Sequence, residues 1–188
     1  SYSDSVLINQ SNQVIMNFSA ESPICILDSS EISINIINPQ SIKYTIEITD
    51  GITTSFLLVD SLGNDFSTEN PIKFSPEITT SYTILSITDD NGCNSVVNQV
   101  ESIVVNQLPI LTLDIPHFCT QDSSRTLNYG SPKGGYYFIN GVSTNFFDIE
   151  NLEVETYQIE YQYKDTVTSC FNTIHSSVQI NPSPLAEF

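Results

Sequence analysis

Ser102-Ile-Val-Val-Asn-Gln-Leu-Pro109, running on to Cys119-Thr-Gln-Asp-Ser-Ser124, is a seam where one unit closes and another opens. Its first half returns as Ser5-Val-Leu-Ile-Asn-Gln10 and as Ser177-Val-Gln-Ile-Asn-Pro182. Its second half returns as Cys25-Ile-Leu-Asp-Ser-Ser30, in the same Cys-x-x-Asp-Ser-Ser order. A pattern that ends one unit, opens the next and recurs marks an array of domains. The 188 residues are therefore read as two repeats, 11–107 and 108–182. Residues 1–10 read as the tail of a preceding repeat. Residues 183–188 read as the start of a following one, because Asn181-x-x-Pro184 copies Asn106-x-x-Pro109. Each repeat is long enough to bury a modest core.

Outward from the seam, the pattern is one of alternation. Ile32, Ile34 and Ile36 alternate with Glu31, Ser33 and Asn35; Ile42, Tyr44, Ile46 and Ile48 alternate with Ser41, Lys43, Thr45 and Glu47. Tyr157, Ile159, Tyr161 and Tyr163 do the same against Gln158, Glu160, Gln162 and Lys164. Side chains on a strand point to opposite faces in turn, so each run makes one apolar and one wet face. No segment keeps apolar residues at helical spacing over several turns. The chain is expected to be all-β, with strands near 13–19, 31–37, 41–49, 52–59, 71–75, 81–88 and 94–105 in the first repeat. The second repeat is expected to hold strands near 110–115, 124–128, 135–139, 145–149, 155–164 and 171–180. Asn38-Pro39, Asp50-Gly51, Gly63-Asn64 and Asn91-Gly92 mark turns between strands of the first repeat. Two tandem immunoglobulin-like antiparallel sandwiches follow.

The charge is lopsided, with 22 acids against Lys43, Lys73, Arg125, Lys133 and Lys164, and a formal net charge of −17. Bulk attraction to nucleic-acid phosphates or to an anionic membrane is excluded on that balance. No apolar stretch is long enough to cross a bilayer as a helix, so no membrane insertion is expected.

Four cysteines fall two to a repeat at matched places. Cys25 and Cys119 open the repeats, and Cys93 and Cys170 precede the closing strands. No Cys-x-x-Cys spacing suggests zinc or redox chemistry. The matched positions predict one disulfide within each repeat, Cys25 with Cys93 and Cys119 with Cys170, in an oxidising compartment. Each would staple the first-strand corner to the last hairpin.

Catalytic chemistry has little support. His117 and His175, the two histidines, lie in no nucleophile, metal or phosphate-loop motif, and no enzyme activity or cofactor is expected. Gly134-Gly135 precedes an aromatic strand and not a helix, so it reads as a turn. Calcium is the one ion the pattern suggests: Asp89, Asp90 and Asn91 offer three oxygen donors in a row at a hairpin tip, and Glu101, Asp114 and Asp122 lie near the seam. The same residue types also populate turns for backbone reasons alone. Among Tyr136, Tyr137, Phe138, Phe146 and Phe147, adjacent rings cannot share one face, so at least one is expected to look outward.

Gly134-Gly-Tyr-Tyr-Phe-Ile-Asn-Gly-Val142, then Phe146 or Phe147, then Thr156-Tyr-Gln-Ile-Glu-Tyr-Gln-Tyr163 and Cys170, resembles a repeat common in Bacteroidetes surface proteins. Thr168-Ser169 and Glu155 stand where that repeat has glycine. Pro76-Glu-Ile-Thr-Thr-Ser-Tyr-Thr-Ile84 with Thr88-Asp-Asp-Asn-Gly-Cys93 is similar to the polycystic-kidney-disease-like and immunoglobulin-like repeats of the same proteins. Such repeats fill the stalks of secreted adhesins, including the large mobile adhesins of gliding flavobacteria.

The resemblance implies an extracellular, cell-surface, non-catalytic stalk segment. Its partners would be neighbouring repeats and a surface polysaccharide or protein ligand. The alternative is an accessory, carbohydrate-contacting module of a secreted polysaccharide-degrading enzyme. Asp4-Ser5-Val6, Asp60-Ser61-Leu62 and Asp165-Thr166-Val167 are similar to the O-glycosylation acceptor of that phylum, which points to Ser5, Ser61 and Thr166.

Overall fold

The computed structural model describes residues 14–66 and 71–184, and the chain divides into two compact units, Ser1–Asn106 and Gln107–Phe188. Every long element is a strand, and one 3-10 turn at Ile149–Asn151 is the helical exception among the described residues. The expected all-β, immunoglobulin-like class is the one observed.

In the first unit, β1 (Ile15–Ala20), β3 (Ser30–Ile37) and β6 (Ile72–Phe74) form a three-stranded antiparallel sheet in the order β1-β3-β6. A four-stranded sheet takes β4 (Lys43–Thr49), β5 (Thr54–Asp60), β7 (Thr80–Asp89) and β8 (Asn94–Ile103), in the order β5-β4-β7-β8. The alternating isoleucines do what their period demands. Ile32, Ile34 and Ile36 from one sheet meet Tyr44, Ile46 and Ile48 from the other, and Met16, Phe18, Val59, Ile84, Ile87 and Ile103 are among the other residues of the buried core. Ile42 departs from its expected face: it precedes the strand and is exposed. The period also slips on β7, where a bulge between Ile84 and Ser86 lets both Ile84 and Ile87 point inward. On the partner strand Asn98 absorbs the bulge with a φ of 55°, a left-handed value that asparagine tolerates better than most residues.

Two-residue strands that carry no periodic signal close the unit. β2 (Ile24–Cys25) pairs in parallel with β9 (Val105–Asn106), setting Cys25 opposite Asn106. Where β6 ends, the turn after β5 covers the open side of β3, and Gly63 lies against the carbonyl of Ile34.

The second unit is built on a five-stranded sheet. Its members are β11 (Phe118–Cys119), β14 (Tyr136–Ile139), β15 (Val142–Ser143), β17 (Thr156–Lys164) and β18 (Phe171–Asn181), in the order β11-β18-β17-β14-β15. Short pairs, β10 (Thr112–Leu113) with β13 (Gly130–Ser131) and β12 (Arg125–Thr126) with β16 (Phe146–Phe147), supply further pairing. Phe118, Tyr137, Phe147, Tyr157, Ile159, Tyr161, Val178 and Ile180 are among its buried core residues. Tyr161 is wedged between glycines. Its hydroxyl accepts the N–H of Gly135 at 2.8 Å and donates to the carbonyl of Pro132, and Gly130 also lies against the ring. β11 repeats the device of β2, running parallel to the end of β18 with Cys119 opposite Asn181.

That device overturns the expected disulfides. In the first unit, Cys93 stands just before β8, and Cys25 lies beside Asn106, beyond its far end. A strand rises about 3.3 Å per residue, so the two are roughly 40 Å apart, whereas bridged Cα atoms lie within about 7 Å. In the second unit the length of β18 keeps Cys170 roughly 35 Å from Cys119 by the same rise. Accordingly Cys93 and Cys119 are free thiols, while Cys25 and Cys170 are disulfide-bonded. The first-strand corner and the last hairpin lie at opposite ends of each unit, not at the same end.

Candidate functional site

The features that carry chemistry sit at the ends of the units, on turns. At the entry end of the first unit, β1 begins opposite the end of β3, in register Ile15↔Ile37. The loop that follows reaches the hairpin between β7 and β8, where Ser41 Oγ donates to Asp90 Oδ1 at 2.6 Å. The second unit enters the same way: Asn172 Nδ2, beside Cys170, donates to the carbonyl of Pro109 at 2.9 Å. Both units release the chain at the opposite end, after Asn106 and after Asn181.

Of the hairpin carboxylates expected as calcium ligands, Asp89 is engaged with its own turn and Asp90 with Ser41 of another loop. Asp89 Oδ1 accepts the N–H groups of Asn91 at 2.9 Å and Cys93 at 2.8 Å, and Asn91 Nδ2 donates to Ser41 Oγ. Among the described residues no three His, Cys, Asp or Glu side chains gather closely enough to hold a metal ion. At the seam, Asp122 Oδ2 accepts the N–H of Cys119 at 2.7 Å, which is a turn contact.

Asp50, Asp60 and Asp165 occupy the same kind of turn. Asp50 Oδ1 accepts the N–H groups of Thr53 and Ile52, and Asp165 Oδ1 those of Thr168 and Val167. Asp60 accepts from Asn64 Nδ2 and from the N–H groups of Asn64 and Leu62. These donors favour the charged form and hold all three carboxyl groups below their ordinary value of 3.8. A carboxylate whose folded pKa is depressed contributes stability above its unfolded pKa and loses it as pH falls through the folded value. Melting temperature is therefore expected to drop as pH is lowered from about 4 towards 2. Changing the three residues together to asparagine should flatten that slope, as measured by thermal melts across the range.

The three glycosylation triplets separate. Ser5 lies outside the described residues; Ser61 is half-buried and Thr166 exposed, each on the turn tip just after a capping aspartate. His117 and His175 are exposed. His117 Nδ1 accepts the N–H of Gln179 at 3.1 Å, and His175 Nδ1 lies 3.7 Å from Glu160 Oε2. Of the crowded aromatics, Tyr137 and Phe147 are buried, while Tyr136 at 69% and Phe146 at 49% exposure look outward as their alternation requires.

One feature escaped the sequence reading. A cavity of about 220 Å³ is lined by Ile48, Thr49, Asp50, Thr53, Ser55, Phe74 and Tyr82, with the Phe74 and Tyr82 rings 4.6 Å apart. Burial, aided by the nearby Asp50 charge, pushes the Tyr82 hydroxyl up, so it remains protonated and uncharged at neutral pH. Phe74 and Tyr82 lie on β6 and β7, strands of different sheets, and no local pattern pairs them.

Ser169, where the resembling repeat has glycine, adopts a φ of 62°, as Gly92 does at 83° before Cys93. The left-handed turn thus survives the replacement with some strain. Ser169→Gly is expected to stabilise the second unit by about 0.5–1 kcal/mol, the relief of strain less the added chain entropy of glycine. Thermal denaturation would register it as a rise of a few degrees.

No protein-family profile matches the chain, and no curated protein sequence does. Among solved structures, one described as structural insight into host cell surface retention of a 1.5-MDa bacterial ice-binding adhesin aligns over 93% of this chain and 67% of its own. Its TM-score is 0.46 and its identity 10%. The fibronectin(III)-like modules of Clostridium thermocellum CbhA align over 93% of this chain and 98% of theirs, with a TM-score of 0.36 and 11% identity.

Proposed function

We propose that this chain is a non-catalytic repeat segment of a large extracellular cell-surface adhesin, acting as a spacer. The observation that carries this reading is the shared end geometry. Each unit receives the chain beside its last hairpin and releases it beside its first-strand corner, at the other end of the sandwich. A unit built that way adds its length to whatever it is inserted into. The unit that ends at residue 10 and the one that begins at residue 183 belong to the same proposal, as do surface attachment or gliding in a Bacteroidetes host. So does O-glycosylation of Ser5, Ser61 and Thr166.

A spacer is exchangeable. Replacing this segment in the parent protein by two unrelated sandwich domains of equal length is expected to leave attachment intact. Loss of attachment would show that the segment itself binds. The exposed Tyr136 ring favours one second reading, a carbohydrate-contacting accessory module of a secreted polysaccharide-degrading enzyme. Affinity electrophoresis decides between them: the spacer runs unretarded through polysaccharide gels, whereas retardation abolished by Tyr136→Ala would establish the module.

A further inference from the structure

Cys25 and Cys119 occupy one and the same backbone setting. The N–H of Asp28 donates to the carbonyl of Cys25 at 3.0 Å, and that of Asp122 to the carbonyl of Cys119 at 2.9 Å. The residue after each cysteine donates to the exit strand, Ile26 to Asn106 at 2.8 Å and Thr120 to Asn181 at 3.0 Å. Cys93 and Cys170 match in the same way at the entry end. The N–H of Asp89 donates to the carbonyl of Cys93 at 3.0 Å, and that of Asp165 to the carbonyl of Cys170 at 2.9 Å.

Each unit therefore carries one cysteine at its entry end and one at its exit end, in a fixed local geometry. Of the two exit cysteines, Cys25 is disulfide-bonded and Cys119 is a free thiol; of the two entry cysteines, Cys170 is bonded and Cys93 is free. Position within the unit thus does not decide which is bonded. The separation of the two ends also forbids a bond between the two cysteines of one unit.

We infer that Cys119 and Cys93 bond one another across copies: the exit thiol of a unit in one copy bonds the entry thiol of a unit in the next. The partner is another unit of this kind, for which a second copy of this chain is a sufficient stand-in. The inference rests on the spacer reading for the order of units. The chemistry is thiol–disulfide exchange with an external disulfide such as oxidised glutathione. The Cys119 thiol loses its proton, and the thiolate attacks the glutathione disulfide and expels one glutathione thiolate, leaving a mixed disulfide. The Cys93 thiolate of the next copy attacks the Cys119 sulfur of that mixed disulfide and expels the second glutathione. One protein S–S bond forms and one glutathione disulfide is reduced to two thiols.

The test uses full-length chains carrying Cys93→Ser or Cys119→Ser, both at residues that hold no disulfide and lie outside the cores. In a glutathione redox buffer at high protein concentration, each variant alone is expected to remain monomeric. Their equimolar mixture should give a covalent dimer whose peptide map joins Cys119 of one chain to Cys93 of the other. The unmodified chain should give a ladder of linear multimers. Symmetrical Cys93–Cys93 or Cys119–Cys119 dimers in equal yield would overturn the inference. So would the absence of any mixed dimer, or exchange into Cys25–Cys93 and Cys119–Cys170 within a chain. These outcomes are independent of whether attachment survives replacement of the segment, so the two readings can fail separately.

Discussion

Gly63→Ala is expected to lower the melting temperature by roughly 15–25 °C, the counterpart of about 3–5 kcal/mol in a unit of this size. Two costs add. Gly63 holds a φ of +87°, which costs an L-residue with a Cβ about 1–2 kcal/mol. A Cβ at that position would also lie 1.9 Å from the carbonyl oxygen of Ile34, a backbone atom in the middle of β3 that cannot rotate away. The turn is pinned from the other side by Asp60, whose carbonyl accepts the N–H of Gly63 at 3.0 Å. Either the turn lifts off β3 and uncovers the Ile34 edge, or β3 moves within the core. The controls are Gly51→Ala and Gly92→Ala, with φ of +88° and +83° but nothing within 4 Å of the added Cβ. Each should lose only about 1–2 kcal/mol. Equal losses at all three positions would show that dihedral strain, and not the contact with Ile34, sets the effect.

Gly135→Ala is expected to cost the second unit about 3 kcal/mol, by overpacking, with no positive φ involved. The new Cβ would lie 2.2 Å from the carbonyl oxygen of Gln162 and 2.5 Å from Cζ of Tyr161. Tyr161 has little room to retreat, because Gly130 presses on the same ring and the Tyr137 ring lies 4.7 Å away. Displacing it would also break the hydrogen bonds its hydroxyl makes with Gly135 and Pro132. Tyr161→Leu in the Gly135→Ala background should recover part of the loss by opening space for the methyl group. Thermal denaturation of the single and double variants measures that coupling, and strict additivity would show that Gly135 and Tyr161 do not compete for the same volume.

The paired-sheet core was legible because alternation is a local signal. Ile32, Ile34 and Ile36 announce a strand and its buried face from six residues, and the structure adds only their partners. The two-residue strands β2, β11, β13 and β15 were not legible. Two residues cannot show a period, and their pairing is fixed by where distant segments run. The disulfide error has that source. Cys25 and Cys119 stand at matched places in the sequence, but which end of the sandwich they occupy depends on parallel pairing with Asn106 and Asn181. The aspartates at the turn tips were seen as oxygen donors. The commitment of Asp89 to backbone N–H groups depends on turn conformation, which the composition of Asp89-Asp90-Asn91 does not specify.

The parallel pairs at the exit ends have a mechanical meaning. A pull applied between the two ends of the first unit draws β1, and with it β2, towards the entry end, while β9 is drawn the other way. Because β2 and β9 run parallel, that tension slides one strand along the other. The bonds from Ile24 N–H to Val104 and from Ile26 N–H to Asn106, 2.9 and 2.8 Å long, are loaded together and in shear. An antiparallel hairpin pulled by its two tails would instead open one hydrogen bond at a time. The second unit is fastened the same way, with Thr120 bonded to Asn181 beside the Phe118↔Ile180 pair. Short strands that each place a single side chain in the core, Ile24 in the first unit and Phe118 in the second, thus hold each sandwich shut along the direction in which a tethered chain is stretched.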